Sequence, residues 1–265
     1  MFLLKMRNEN EIMNPIFARN GALFMPNPFS RTEMLLGHEA MERLSACRVA
    51  VFGIGGVGGY VVEALARSGV GALDLIDSDR VSLTNLNRQI LAAHSTLGQY
   101  KTDAAEKRVR DINPDCRVTV HRVFFLPDTQ DQFDFSQFDY VVDAIDTVTG
   151  KMALAKKAME AGTPIISAMG TGNKTDPTAL RVGDISETSV CPLARVMRTE
   201  CRRRGIERLK VVYSTEPPRK PLTGISDEEK NENPVRRDTP GSTAFVPAAA
   251  GLIIAAEVVR ELINK

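Results

Sequence analysis

One glycine-rich loop, Gly53-Ile54-Gly55-Gly56-Val57-Gly58, constrains the fold of this 265-residue chain more than any other feature. The loop directly follows an apolar run at 48–52, which is typical of a buried strand, and precedes an apolar helical pattern at 60–68. Glycines here let the backbone approach phosphate oxygens, and the free N–H groups of the following helix point at them. The strand–loop–helix order therefore predicts a phosphate-binding turn, and leaves both ATP and a dinucleotide open as ligands.

The same β-α-β order repeats along the chain. Further strands are predicted at 73–76, 117–122, 140–142, 164–168 and 211–214, and further helices at 31–44, 101–112, 149–161, 193–204 and 248–263. Repeated β-α-β units favour a Rossmann-like, doubly wound α/β fold, with a mostly parallel sheet, helices on both faces and here a C-terminal extension. We expect one domain over 25–265, with its nucleotide-binding core at about 31–170.

Two segments are expected to contribute little to that domain. Residues 1–24 carry scattered charges without the order of regions of a signal peptide, so we expect a disordered or non-native extension with Met25 as the natural start. Residues 217–240 are rich in Pro, Lys, Glu and Asn, which predicts a mobile crossover loop. The longest apolar stretch, 245–259, is too short for a membrane span.

The four cysteines form no C-x-x-C pair, which argues against a thiolate zinc site. Their pattern favours reduced thiols in a cytoplasmic protein. Cys191 precedes Pro192 and has no histidine near it in sequence, so a structural role is favoured over a nucleophilic one.

Charged residues beyond the second strand indicate the ligand. Asp77 follows Gly53 by about 24 residues, where such folds place a carboxylate that binds ribose hydroxyls. Asp79 suits helix capping and nucleotide contact equally well. Arg88 and Lys101 would together neutralise triphosphate charge, which nucleotidyl transfer needs and hydride transfer does not.

A second carboxylate, Asp146, follows the apolar strand at 140–142. Ligands and metals bind at this carboxyl edge of open α/β sheets. Since Mg²⁺ prefers oxygen ligands and bridges phosphates, Asp146 is the predicted magnesium ligand, whereas Asp143 is interpreted as structural.

Together these motifs resemble the ThiF and ubiquitin-activating-enzyme-like superfamily over roughly residues 31–168. The shared positions are Gly53, Gly55, Gly56, Gly58, Asp77, Asp79, Asn85, Arg88, Gln89, Lys101 and Asp146. The resemblance implies that these residues bind ATP with Mg²⁺ and that an acyl-adenylate forms as pyrophosphate leaves. It also implies a homodimer in which Arg31 acts in trans as an arginine finger.

Within the superfamily the chain resembles the tRNA threonylcarbamoyladenosine dehydratase branch. The motifs that carry this resemblance are Asp143-Ala144-Ile145-Asp146, Asp176-Pro177-Thr178, Pro192-Leu193-Ala194 and Ser214-Thr215-Glu216. It implies a ligase- or cyclase-type reaction in which the threonyl carboxylate attacks the α-phosphate of ATP. A nitrogen of the same side chain then displaces AMP and closes a ring, while Arg31, Arg88, Lys101 and Mg²⁺ offset the developing charge.

A tRNA substrate requires positive surface, and the net charge of +1 means that such a surface must be local. Arg195, Arg198 and Arg202 fall on one face of the predicted helix at 193–204. This stripe fits phosphate binding and a solvated helix face equally well.

Three other functions compete with this one. The first is adenylation of the C-terminus of a ubiquitin-like or sulfur-carrier protein, which the missing zinc cysteines count against; sulfur-transfer proteins stay among the possible partners. The second is an NAD-dependent oxidoreductase, which the set of Arg88, Lys101 and Asp146 argues against. The third is a non-catalytic binding module, although the phosphate-site residues are all present.

Overall fold

The computed structural model describes residues 27–223 and 240–264, and the backbone of two short strands that pair antiparallel. These two strands are β1 (Ile16–Phe17) and β2 (Leu23–Phe24). The predicted extension at 1–24 otherwise lies outside the described residues, as does most of the predicted crossover loop at 217–240.

Seven strands form the central sheet. They are β3 (Arg48–Phe52), β4 (Ala72–Ile76), β5 (Arg117–His121), β6 (Tyr140–Asp143), β7 (Ile165–Ala168), β8 (Leu180–Asp184) and β9 (Lys210–Ser214). Their spatial order is β5-β4-β3-β6-β7-β9-β8, and every pair is parallel except β8 with β9. This arrangement confirms the predicted doubly wound, mostly parallel sheet.

Helices cover both faces of the sheet. They are α1 (Ser30–Leu36), α2 (His38–Ala46), α3 (Gly58–Arg67), α4 (Lys101–Ile112), α5 (Val148–Ala161), α6 (Pro192–Arg203) and α7 (Phe245–Ile263). One apolar cluster joins α2, α3, α4 and α7 to alternate side chains of the strands, such as Val49 and Val51. Ala50 and Phe52 point to the other face, which α5 covers. Strands buried on both faces need near-continuous apolar runs, which is what 48–52 supplies.

Two predicted elements differ in the structure. The helix predicted at 31–44 is two helices, because Gly37 takes φ +85° and breaks the backbone hydrogen-bond pattern between α1 and α2. Strand β8 was not predicted; it is an edge strand whose Arg181 and Val182 are exposed, so its sequence lacks a clean apolar run. Helix α7 also begins before the predicted residue 248, since Pro247 is tolerated in a first helical turn.

One asparagine, Asn173, holds together the two ends of the connection from β9 to α7. Its carbonyl accepts the backbone N–H of Arg219 at 2.8 Å. Its own N–H donates to the Gly241 carbonyl, and its Oδ1 accepts the Gly241 N–H, both at 2.7 Å. Asn173 has φ +58°, a left-handed conformation that asparagine tolerates better than most residues. Both ends are thereby fixed to the turn that follows β7.

No helix in the described part of the chain is both long and apolar enough to cross a membrane.

Candidate functional site

A cavity of about 630 Å³ opens at the carboxyl edge of the sheet, where β3 lies between β4 and β6. The strand order reverses direction at this point, which is where open α/β sheets bind ligands. The predicted site residues that line the cavity are Gly53, Gly55, Gly56, Asp77, Asp79, Asn85, Arg88, Gln89, Lys101 and Asp146. Residues scattered over nearly a hundred positions of sequence thus meet in one place.

The glycines of the loop have different structural reasons. Gly53 has φ +87°, and a Cβ there would lie 2.7 Å from the carbonyl oxygen of Ala144. A Cβ on Gly58, which does not line the cavity, would collide with the Gly53 carbonyl. Gly55 is different, because its nearest neighbour would be Gln89 Nε2 at 4.0 Å. Gly53 and Gly58 are therefore required for backbone packing, whereas Gly55 leaves open space beside the cavity.

The two aspartates after β4 take separate positions. Asp77 Oδ2 accepts the backbone N–H of Ile54 at 2.7 Å, and Oδ1 accepts that of Asp79 at 2.8 Å. Burial raises the pKa of the Asp77 carboxyl, although nearby Lys101 and these hydrogen bonds oppose the shift. Asp79 Oδ2 lies 2.6 Å from Lys101 Nζ, and its side chain is 62% exposed against 7% for that of Lys101. Asp77 thus orders the glycine loop, and Asp79 presents a carboxylate at the cavity.

The segment after β4 also supplies polar groups to the cavity wall. Asn85 is buried, and its Oδ1 accepts the backbone N–H of Ser82 at 3.1 Å, which caps a short 3₁₀ turn. Arg88 is half-buried, and its Nη1 donates to the Thr84 carbonyl at 2.8 Å. Gln89 is buried behind the glycine loop. These contacts hold a cation and an amide close to the phosphate-binding turn.

Three buried side-chain oxygens have no hydrogen-bond partner among the described residues: Gln89 Oε1, Thr147 Oγ1 and Thr243 Oγ1. Gln89 and Thr147 line the cavity, and Thr243 follows the lining residue Ser242. Buried polar atoms are nearly always paired in folded proteins, so this concentration at one cavity is the pattern that a polar ligand would complete.

Asp146 lines the cavity in the turn after β6, and the next residue in the chain is Thr147, whose buried hydroxyl is among the three oxygens without a partner in the described part of the chain. No group of three or more His, Cys, Asp and Glu side chains within 27–223 and 240–264 forms a metal-binding cluster. Mg²⁺ commonly binds through one or two carboxylates together with substrate phosphates rather than in a full protein cage. The oxygen donors here fit a magnesium ion of that kind.

Four predicted functional residues lie away from the cavity. Arg31 is exposed on α1 and is not part of the cavity lining. Arg195 and Arg202 are exposed on α6, whereas Arg198 is half-buried and its Nη1 donates to the Thr188 carbonyl at 2.6 Å. Of the three arginines predicted to form a basic stripe, only Arg195 and Arg202 are therefore exposed. Cys191, predicted to be structural, is a buried free thiol.

Part of the cavity wall was missed by the sequence prediction. Ala168 at the end of β7 and the turn that follows it, residues 169–172, line the cavity together with Pro240, Ser242 and Pro247. Because β7 ends at the same sheet edge as β3 and β6, its following turn was predictable by the strand-end rule. Pro240 and Ser242 carried no such signal, because hydrogen bonds between distant segments place them: the Gly241 N–H donates to Asn173 Oδ1, and Asn87 Nδ2 donates to the Ser242 carbonyl.

Comparison with known proteins adds relatives to this geometry. The ThiF family model matches residues 29–265. The tRNA threonylcarbamoyladenosine dehydratase of Bacillus subtilis is 44% identical over 244 residues, covering 91% of this chain and 96% of the relative. The enzyme of the same name from Escherichia coli is 35% identical over 251 residues, covering 89% of this chain and 94% of the relative.

Solved structures of the Escherichia coli tRNA N6-threonylcarbamoyladenosine dehydratase TcdA, in complex with ATP and with AMP, superpose with a TM-score of 0.80 at 33% identity. They cover 89% of this chain and 94% of that chain. An adenylyltransferase and sulfurtransferase, uba4, from Aspergillus niger is 32% identical over 133 residues, which is 50% of this chain.

Proposed function

The chain belongs to the ThiF family, and on that premise we propose that it is an ATP-dependent tRNA threonylcarbamoyladenosine dehydratase. One observation carries the proposal: the glycine loop, the Asp79–Lys101 pair, Arg88 and Asp146 converge on a single cavity at the strand-order reversal. Relatives of that name match about nine-tenths of the chain. One of them has been solved in complex with ATP and, separately, in complex with AMP.

We propose that ATP binds in this cavity with its phosphates at the glycine loop and its adenine ring beside residues 123–125. The open space at Gly55 and the N-terminus of α3 suit the phosphates. Because both oxygens of Asp77 accept backbone N–H groups, the exposed carboxylate of Asp79 is the better partner for the ribose hydroxyls. Ile76 and residues 123–125 form an apolar wall next to these aspartates, which suits the adenine ring.

The proposed reaction is an adenylation followed by ring closure. A carboxylate oxygen of the threonylcarbamoyl group attacks the α-phosphorus, and the bond to pyrophosphate breaks. Arg88 and Lys101 lie where they offset charge on the phosphates. Mg²⁺, held by Asp146 together with the phosphates, would withdraw further charge from them. A nitrogen of the same side chain then attacks the activated carbonyl and loses its proton to solvent, and the C–O bond to AMP breaks so that AMP leaves with the former carboxylate oxygen. The ring closes, and the nucleoside has lost the elements of one water.

Arg31 is proposed to act in trans within a homodimer. Its position outside the cavity lining means that the same chain does not supply it directly. Helix α1 buries none of its residues, and Met34 and Leu35 beside Arg31 are 81% and 87% exposed. An apolar helix face of this kind is what a second copy would cover.

The decisive experiment incubates the purified protein with ATP, Mg²⁺ and tRNA bearing threonylcarbamoyladenosine. We expect nucleoside mass spectrometry to show loss of one water, with AMP and pyrophosphate released in equal amounts. Unmodified tRNA is the control and should release neither. The same proposal makes the protein an enzyme of the adenylating-ligase type that acts in the cytoplasm.

The uba4 match leaves a second function to test, adenylation of a carrier-protein C-terminus. That reaction would appear as ATP–pyrophosphate exchange that requires a ubiquitin-like protein and ignores tRNA. Exchange of that kind, with an unchanged nucleoside, would overturn the dehydratase proposal.

A further inference from the structure

A fully buried lysine, Lys151, lies in the first turn of α5 beneath the cavity floor. Its Nζ is 3.1 Å from each carboxylate oxygen of Asp143, 3.2 Å from Ser167 Oγ and 2.8 Å from the carbonyl oxygen of Ala168. Ser167 Oγ in turn donates to Asp143 Oδ2 at 2.5 Å. The ammonium is therefore surrounded by four oxygens and has no contact with solvent.

This buried network joins two turns that form the cavity. Asp143 ends β6, and its Oδ1 also accepts the N–H of Ile145 in the turn that carries Asp146. Ser167 and Ala168 end β7 and lead into the lining turn at 169–172. The lysine thus ties the turn that carries Asp146 to the turn that follows the neighbouring strand β7.

The glycine loop packs closely against the same turn, the one that follows β6. A Cβ at Gly53 would meet the Ala144 carbonyl, and one at Gly58 would meet the Ala144 side chain at 3.3 Å. Gly150, directly before the lysine, has no room for a Cβ either, since Ile145 Cδ1 would lie at 2.6 Å. The turn that follows β6 is therefore tightly packed against its neighbours. Because Asp143 also accepts a hydrogen bond from Ile145 in this turn, a shift of Asp143 would move the turn.

We propose that Lys151 is a positioning residue: with Asp143 and Ser167 it sets the placement of Asp146 relative to the phosphate-binding loop. Lys151 does not line the cavity and is not assigned contact with substrate. A buried ion pair contributes little net stability, because desolvation offsets much of the attraction between its charges. The position of this pair between two turns of the site therefore indicates that it fixes the position of those turns. The inference rests on the proposed function only for the role of Asp146 toward magnesium-bound ATP.

The test compares variants that separate stability from placement. Lys151→Met leaves Asp143 as a lone buried charge, and we expect a lower urea midpoint of unfolding. The double variant Lys151→Met with Asp143→Asn removes both charges, and its midpoint should return toward that of the wild type. Ser167→Ala keeps both charges and removes one partner of each, so it serves if the double variant does not fold.

The chain offers a matched control in a second buried ion pair. Asp74 is 1% exposed, with Arg48 Nε at 2.7 Å and His121 Nε2 at 2.8 Å, and none of the three lines the cavity. Asp74→Asn should lower the urea midpoint while leaving ATP affinity unchanged.

Each variant is titrated with ATP by calorimetry, with and without Mg²⁺, which needs no tRNA. We expect the double variant to require about 10- to 100-fold more Mg²⁺ to reach half of its gain in ATP affinity, the range seen when outer-shell partners of metal ligands are removed. Ser167→Ala should shift the same midpoint in the same direction by less. The proposal is overturned if the Mg²⁺ concentration that gives half of the gain in ATP affinity stays within about twofold of the wild-type value in the double variant. If the double variant does not fold, the same criterion applies to Ser167→Ala.

Failure of the dehydratase proposal is distinguishable from this result. A wild-type protein that binds ATP with Mg²⁺ but leaves the nucleoside unchanged would refute the reaction and leave the placement test intact.

Discussion

Replacing Gly55 by alanine isolates the space that the glycine loop reserves for a ligand. The φ of Gly55 is outside the left-handed region, and the added Cβ meets nothing closer than Gln89 Nε2 at 4.0 Å. The folded chain therefore accepts the methyl group without strain. Because alanine also has fewer unfolded conformations than glycine, we expect the free energy of unfolding to stay level or rise by roughly 0.4–1 kcal/mol.

The effect on ATP should be large by contrast. The Cβ enters the space beside the cavity in which phosphate oxygens would accept backbone N–H groups. A hydrogen bond to a charged group contributes about 1.5–3 kcal/mol, so the loss of one such bond weakens ATP binding by about 10- to 150-fold.

Calorimetric titration with ATP and urea unfolding measure the two effects separately. Gly58→Ala is the matched control: its Cβ collides with the Gly53 carbonyl, so we expect a loss of stability of about 1–3 kcal/mol, as overpacking produces. If Gly55→Ala binds ATP as tightly as the wild type does, the loop does not hold the phosphates and the placement of ATP is wrong.

Three further predictions concern charged residues. Asp146→Ala and Arg31→Ala should each abolish ATP–pyrophosphate exchange, and mixing the two variants should restore part of it if the arginine acts in trans; exchange at the wild-type rate in either single variant refutes that residue's role. Reversing charge at Arg195 and Arg202 should weaken tRNA binding and reduce its salt dependence, by a slope of about one to two, whereas unchanged affinity clears the stripe of that role. For Asp74, burial would raise the pKa of the carboxyl, but hydrogen bonds from its two basic neighbours outweigh burial and hold the pKa below its usual value. The extra stability of the wild type over Asp74→Asn is therefore fully present above the unfolded-state pKa of about 4 and declines as pH falls from there through the lowered folded-state pKa; a difference in urea midpoint that does not shrink between about pH 7 and pH 3 contradicts this assignment.

The sequence predicted the parts of the fold and site that local pattern controls. The apolar runs of β3 and β6 are short-range signals, so these strands appear within a residue or two of their predicted bounds. The strand-end rule also predicted that Asp77 and Asp146 lie at the same edge of the sheet, and both line the cavity.

Other features depend on contacts between distant segments. The apolar spacing of α1 and α2 continues through Gly37, and only its backbone conformation separates the helices. Lysines are rarely buried, so the sequence pattern gave no reason to place Lys151 in the interior. The buried network around Lys151 forms because the pairing of β6 with β7 places Asp143 and Ser167, which are distant in sequence, beside its Nζ.

The clamp at Asn173 bears on how this connection tolerates changes in length. Because Arg219 and Gly241 bond to the same residue, insertions or deletions between them leave both anchor points in place. The entropic cost of joining two fixed points grows only with the logarithm of the number of residues between them, so we expect doubling that number to cost about 0.6 kcal/mol. We therefore expect changes of length between Arg219 and Gly241 to leave Pro240 and Ser242 in the cavity wall, which makes this stretch a suitable point for grafting a peptide tag or a reporter sequence.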